Sequence, residues 1–488
     1  MPIFTVGAAG TTSTSAYAVD NSLRFSEDSG DYLRNPASGA AVAAERKTLT
    51  FSLWVKRAKL GTRSSTQYMI CGIEGTGNYY SALMFNSTDQ LRFFHNENGT
   101  TRCDLKTNRV FRDTSAWYHI VLAIDTTQGT DSNRVKIYVN GVQETSFATE
   151  TYYSSSFNTY FGMTNDTDGY PTYIGSNASS DHFDGYMAEV VGVGGSQLAA
   201  SDFAESDSDT GTWIPKDLSG LSYGSGVAGN FLLQFQTSGT LGDDTSGNNN
   251  DFTVTNLTSV DQSTDTPTNI YATLNNLSNN NSSMDYDEGN LEAISSTSWL
   301  GTIGTIGLAS GKWYWEAKYI SGNFGIGIGK AGTTSTETNN LSSANNGYIG
   351  KYPDGYEYFK NFSNSQKINN NSASSYGSVL SANDVLMIAF DADNGTIWVG
   401  SNGTWFSSAT QSEIEAGTTT NSMYSGITVD DFFVPTVSIE NGTIQFNFGS
   451  PPYSITSSNS DGNGYGNFEY AVPSGYYAIN SKNLAQYG

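Results

Sequence analysis

Few side chains in this 488-residue sequence are spaced for chemistry. The three histidines, His95, His119 and His182, lie too far apart for a local ligand set, and His119 falls within an apparent core strand. Cys71 and Cys103 are the only cysteines. With no CxxC or Cys/His spacing they indicate neither a disulfide scaffold nor a zinc site, and they read as ordinary thiols or as one bridge within a domain. No helix-borne metal motif is present, and no triad is supported. The nearest acidic cluster, Asp285-Tyr286-Asp287-Glu288 with Glu292, lies in an Asn/Ser-rich stretch and reads as a solvated loop. No catalytic residue is assigned, and the expectation is a protein that is not an enzyme.

Two kinds of binding chemistry remain. Asn165-Asp166-Thr167-Asp168-Gly169 and Asp243-Asp244-Thr245-Ser246-Gly247-Asn248 set oxygen ligands beside glycine, which suits a hard cation such as calcium. Neither completes an EF-hand loop with its terminal Glu, and Asp, Asn and Gly also dominate ordinary turns. Asp166, Asp168, Asp243 and Asp244 are therefore calcium candidates with plain turns as the competing reading, and no other cofactor is expected. Around Pro353-Asp354-Gly355 gather Tyr348, Tyr352, Tyr356, Tyr358, Phe359 and Phe362. Exposed aromatic rings stack on sugars and bury area at small entropy cost, so Tyr348, Tyr352, Asp354, Tyr356 and Phe362 are the candidate ligand-binding residues. Alternation of Tyr356 and Tyr358 turns one face of this segment toward a core.

Strands must position these turns. The composition, with 52 Gly, 30 Tyr, 25 Phe and 8 Trp, excludes an all-α protein and argues against disorder. Leu49-Thr50-Phe51-Ser52-Leu53-Trp54-Val55 alternates with period two, and Arg134 to Val139 does the same before Asn140-Gly141, a strong hairpin signal. Trp313 to Ile320 alternates again and leads to Gly325-Ile326-Gly327-Ile328-Gly329, where the glycines predict a closely approached strand or a bulge. Val385 to Phe390, Asp393-Asn394-Gly395, Thr396 to Val399 and Asn402-Gly403 make a meander. Helix is expected only in short pieces, Gln197 to Glu205 and Gln411 to Ala416. The predicted fold is all-β, two antiparallel β-sandwich (jelly-roll-like) domains in tandem with short linkers. The boundaries are an arm over 1–21, a sandwich over 22–205, a connecting segment with strands over 206–268, a second sandwich over 269–450 and a C-terminal extension over 451–488. A net charge of 23 − 47 = −24 without a basic cluster argues against a nucleic-acid partner. No apolar stretch approaches membrane-spanning length, and the N-terminus lacks a Sec-type signal, so no membrane insertion is expected.

In its first region the chain resembles the laminin G-like, concanavalin-type lectin/glucanase sandwich, through Leu49 to Val55, Trp117 to Asp125, Val135 to Gly141, Tyr173-Ile174-Gly175 and Phe183-Asp184-Gly185 to Val190. Glucanases of that superfamily carry an E-x-D-x-x-E or E-x-D-x-E strand that sets alternate carboxylates on one face; no such strand occurs here. The second region resembles a SPRY (B30.2-like) domain, through Gly311-Lys312-Trp313-Tyr314-Trp315-Glu316, Asp384 to Asp391, Val399 to Gly403, Phe433-Val434-Pro435-Thr436-Val437 and Phe446-Asn447-Phe448-Gly449. Gly229 to Phe235, Gly242 to Asn250, Asp265 to Asn269 and Pro473 to Asn480 resemble virion surface proteins of tailed phages, particularly marine ones. That resemblance implies a virion-surface location, with synthesis and assembly in the host cytoplasm and homo-oligomerisation, as a trimer by preference. It implies attachment to other virion proteins through the N-terminal arm and adhesion to host-surface glycan or protein without cleavage, as a tail fibre or receptor-binding protein. A head fibre or capsid decoration protein is the alternative, and a glycan depolymerase spike a second.

Overall fold

The computed structural model describes residues 17–35, 47–61, 66–73, 79–158, 171–177, 179, 181–224, 229–278, 283–331 and 347–488. Strands take 46% of the chain and helix 7%, the nearly all-β antiparallel fold that the alternation predicts. The chain divides into two compact units, within residues 13–268 and 269–488. Among the described residues no helix is long and apolar enough to cross a membrane.

In the first unit, Leu49, Phe51, Leu53 and Val55 alternate along strand Thr48–Arg57 and meet Ile120, Leu122 and Ile124 of the neighbouring strand in one core. One sheet runs Val142–Gln143, Val135–Val139, Trp117–Asp125, Thr48–Arg57, Gly185–Gly194, Ser22–Phe25, Gln262–Ser263. The other runs Phe147–Thr151, Thr100–Val110, Gln90–Glu97, Tyr79–Phe85, Gln67–Ile73, Thr172–Ile174, Tyr32–Asn35, Thr253–Thr255. Both sheets supply the core, Phe93 and Leu105 coming from the second, so the unit is a β-sandwich. Asn140 and Gly141 both hold positive φ, +48° and +79°, the geometry of the hairpin turn their sequence predicts. Cys71 and Cys103 are buried free thiols. Two strands of the same sheet separate theirs, a span of roughly 14 Å at ~4.8 Å per strand and beyond disulfide reach.

Segment 206–268 is more than a connection. Phe231–Leu233 pairs with Gly185–Gly194, Thr253–Thr255 with Tyr32–Asn35, and Gln262–Ser263 with Ser22–Phe25, which builds the segment into the first sandwich. Two- and three-residue strands carry too little alternation to be read from sequence. Within Gln197 to Glu205 only Ala200–Asp202 forms a 3₁₀ turn, because Ala204–Ser206 is drawn into a ladder with Trp213–Pro215. Gln411–Glu415 is helical, capped by Thr410 Oγ1 accepting from the Glu413 N–H.

The second unit is organised by two long strands, Lys312–Lys330 and Phe433–Asn447, paired antiparallel with register shifts between Tyr319 and Asn323. Before the shift Lys312–Lys330 pairs with Val385–Asp391, and after it with Gly355–Asn361. Trp313, Trp315, Leu386, Ile326, Ile328 and Tyr358 from the two halves share one core, so the sheet closes on itself at the bulges. The C-terminal stretch belongs to this unit: Tyr477–Ala478 pairs in parallel with Trp313 and Tyr314, and helix Ser481–Tyr487 follows the Asn480 cap.

Candidate functional site

The tyrosine-rich segment does not assemble one site. Tyr356 lies on the core side of its sheet, edge-on to Tyr424 at 5.2 Å between centroids. Tyr348 packs instead against Trp299 and Phe359, and Tyr352 against a separate cluster of Ile303, Ile349 and Val434. Phe362, 76% exposed, sits beyond the far end of strand Gly355–Asn361. Seven residues at ~3.3 Å each put it roughly 20 Å from Asp354. Tyr358 is fully buried, as its alternation with Tyr356 requires.

The acidic candidates fare differently. Asp166 and Asp168 lie outside the described residues. Asp244 spends its carboxylate on the loop it belongs to: Oδ1 accepts from the N–H groups of Leu232 and Ser246, and Oδ2 from the Ser246 hydroxyl and the Asn250 N–H, all at 2.9 Å. Asp243 accepts from the Thr240 hydroxyl. No group of three or more His, Cys, Asp or Glu among the described residues could hold a metal. In the second unit Glu316 and Glu357 are fully buried, and burial pushes both up to about 7. Their oxygens are occupied, Glu316 by Tyr314, Asn447 and the N–H groups of Glu469 and Tyr470, Glu357 by Ser438 and the Gly350 N–H. They brace the sandwich.

One cavity of about 630 Å³ combines volume with polar groups, in the first unit. Its origin is a break in a sheet edge. Strand Gly185–Gly194 pairs along one edge with Thr48–Arg57, and along the other first with Ser22–Phe25 and then with Phe231–Leu233. Between these partners the register shifts and Glu189 takes φ +47°, a bulge that re-aims its side chain. Tyr17 to Asn21 leads into one flanking strand and Gln234 leaves the other, so all of them line the cavity beside Glu189. Leu218, Leu221, Tyr223 and Leu232 form an apolar wall, while Asp217, Ser219, Gln236, Thr245 and Ser246 complete a polar rim.

The polar network is partly filled. The Tyr17 hydroxyl donates to Glu189 Oε1 at 2.5 Å and the Gln234 amide donates to it at 3.1 Å. Glu189 Oε2 is buried and has no donor. Burial holds the Glu189 carboxyl above its usual range despite those two donors, whereas the N–H and hydroxyl of Ser219 hold exposed Asp217 below its own. Sequence reading missed this site. The available signal was a lone charge, Glu189, inside the apolar run Tyr186 to Val193. Residues 1–16 of the expected arm lie outside the described residues. Its last stretch packs on the sandwich, with the Val19 N–H donating to Thr268 Oγ1 at 3.1 Å.

The first unit is thus a β-sandwich with a polar-rimmed, apolar-walled cavity at a sheet break. A laminin G family model, described as the concanavalin A-like lectin/glucanases superfamily, matches residues 27–192, and this region is laminin G-like. Two similar solved structures are a heptameric SAP-like pentraxin from Limulus polyphemus, at 14% identity, covering 38% of this chain and 81% of its own with a TM-score of 0.26, and the TRIM65 PSpry domain, at 12% identity, covering 36% and 91% with a TM-score of 0.27. No curated protein matches the sequence.

Proposed function

We propose that the protein is a non-catalytic adhesin of a virion surface, most simply a tail fibre, whose lectin-like unit binds host glycan in the cavity beside Glu189. One observation carries the binding reading: a buried carboxylate oxygen without a donor, set in a cavity whose wall offers Tyr17 and Tyr223 and whose rim offers amides and hydroxyls. Sugars present hydroxyl donors and an apolar ring face, and such a surface accommodates both. The virion assignment is supported by the phage-like segments Gly229 to Asn250 and Asp265 to Asn269. Antibody labelling of virions tests it: label on the tail favours adhesion, label over the capsid lattice favours decoration, and unlabelled virions overturn the assignment.

A depolymerase is favoured by one feature, a carboxyl held up, Glu189, in the same cavity as one held down, Asp217, which is how acid and base roles are divided in hydrolases. Against it, Asp217 is exposed on a loop and its oxygen Oδ1 already accepts from the Ser219 N–H, a poor placement for a nucleophile or base. Host polysaccharide incubated with the protein is expected to keep its chain length by size-exclusion chromatography. Shortening that disappears in Glu189→Gln would make the protein a depolymerase.

A further inference from the structure

The charge of the cavity narrows its ligand. Three carboxylates, Asp20, Glu189 and Asp217, line it, and the Asp217 charge adds to the cost of ionising Glu189, while no Lys, Arg or His is among the lining residues. Glu189 is only 3% exposed, and one of its oxygens lacks the donor that a buried carboxylate requires. Gln234 cannot supply it, since its amide already donates to Oε1 and its own Oε1 accepts from the Thr245 hydroxyl and the Gln236 amide. A ligand donor would complete the carboxylate, and a positively charged donor also offsets the acidic lining. Anionic sugars meet only repulsion.

Calcium fits less well. A hard cation takes six to eight oxygens; buried Glu189 has one to give, and the other two carboxylates, Asp20 and Asp217, stand on exposed stretches of the rim. An ammonium needs fewer acceptors, with three donors on a compact charge.

We propose that the cavity selects a sugar bearing a primary ammonium, an amino sugar of the deacetylated hexosamine class, with Glu189 Oε2 and the Asp217 carboxylate facing the ammonium and the Tyr17 and Tyr223 wall facing the ring. This rests on the reading of the cavity as a glycan site. Isothermal titration of the full chain at low salt, in EDTA, with a glucosamine tetramer, its N-acetylated counterpart and a glucose tetramer tests it. The glucosamine tetramer is expected to bind roughly tenfold or more tighter than the other two. Glu189→Gln, which keeps an acceptor for Tyr17 and places an amide at the Oε2 position, should abolish that preference and leave the weaker common binding. Asp217→Asn, on an exposed loop, should narrow the preference and serves alone if Glu189→Gln does not fold by circular dichroism. Equal binding of all three tetramers, or a preference that survives both variants, overturns the ammonium inference and leaves the glycan site standing. Absence of binding by every tetramer overturns both. Calcium binding to the chain that is lost in Glu189→Gln also overturns the inference, in favour of a cation site.

Discussion

Lowering the pH from about 7.5 to about 5 is expected to loosen the first unit and tighten the second. Burial pulls His119 down to about 3, and burial together with the Arg102 charge does the same to His95. Burial also lowers His182, and all three lie in the first unit. Imidazoles held neutral when folded take up protons when unfolded, so their stabilisation is complete above pH ~6.5 and is lost as pH falls toward the folded value; at pH ~5 His95 and His119 each forfeit on the order of 2 kcal/mol. Asp31, raised to about 6 by burial, and Glu189, also raised, act in the opposite sense within that unit and offset part of that loss. The second unit has no histidine. Glu316 and Glu357, raised to about 7, hold protons there that the unfolded chain has released. Their stabilisation is complete below the ordinary carboxylate range and is lost as pH rises through about 7, so acidification returns roughly 2 kcal/mol for each. Amide exchange read peptide by peptide on the intact chain, corrected for intrinsic rate, should show protection falling in Trp117–Asp125 and rising in Val385–Asp391. Shifts of the same sign in both peptides would refute the assignment of these groups.

Gly327→Ala should cost about 3 kcal/mol or more. A Cβ there would stand 1.9 Å from the Tyr356 carbonyl oxygen, a backbone atom of the paired strand that cannot step aside. Gly327 lies between Ile326 and Ile328, whose side chains fill the core, so the strand cannot shift outward without emptying it. Gly462 in the same unit meets nothing closer than 4.0 Å, and Gly462→Ala should stay within about 0.5 kcal/mol of the parent. Urea unfolding of the three proteins measures both. A Gly327→Ala midpoint equal to that of the parent would mean that the strands are not this close.

Much of the fold was legible because alternation is local. Leu49 to Val55 and Val385 to Phe390 show their strands in single windows, Asn140-Gly141 shows its turn, and the spaced glycines at 325, 327 and 329 show a close approach. Asp243 and Asp244 were legible as turn formers or cation ligands, but not as which, because the difference lies in where Asp244's four donors stand. The tyrosine segment misled for a geometric reason. Residues adjacent in sequence leave a strand on opposite faces and at opposite ends, so Tyr348, Tyr356 and Phe362 diverge.

By itself, then, the sequence determined an antiparallel all-β chain, several of its turns and its acidic balance, since each depends on residue type and short-range period. Only the tertiary structure decided that 206–268 completes the first sandwich and that Tyr17, Glu189 and Gln234 meet at a break in one sheet edge. Tyr17 and Gln234 are separated by 217 residues, and their meeting depends on which strand ends share an edge, a long-range pairing that no local window contains.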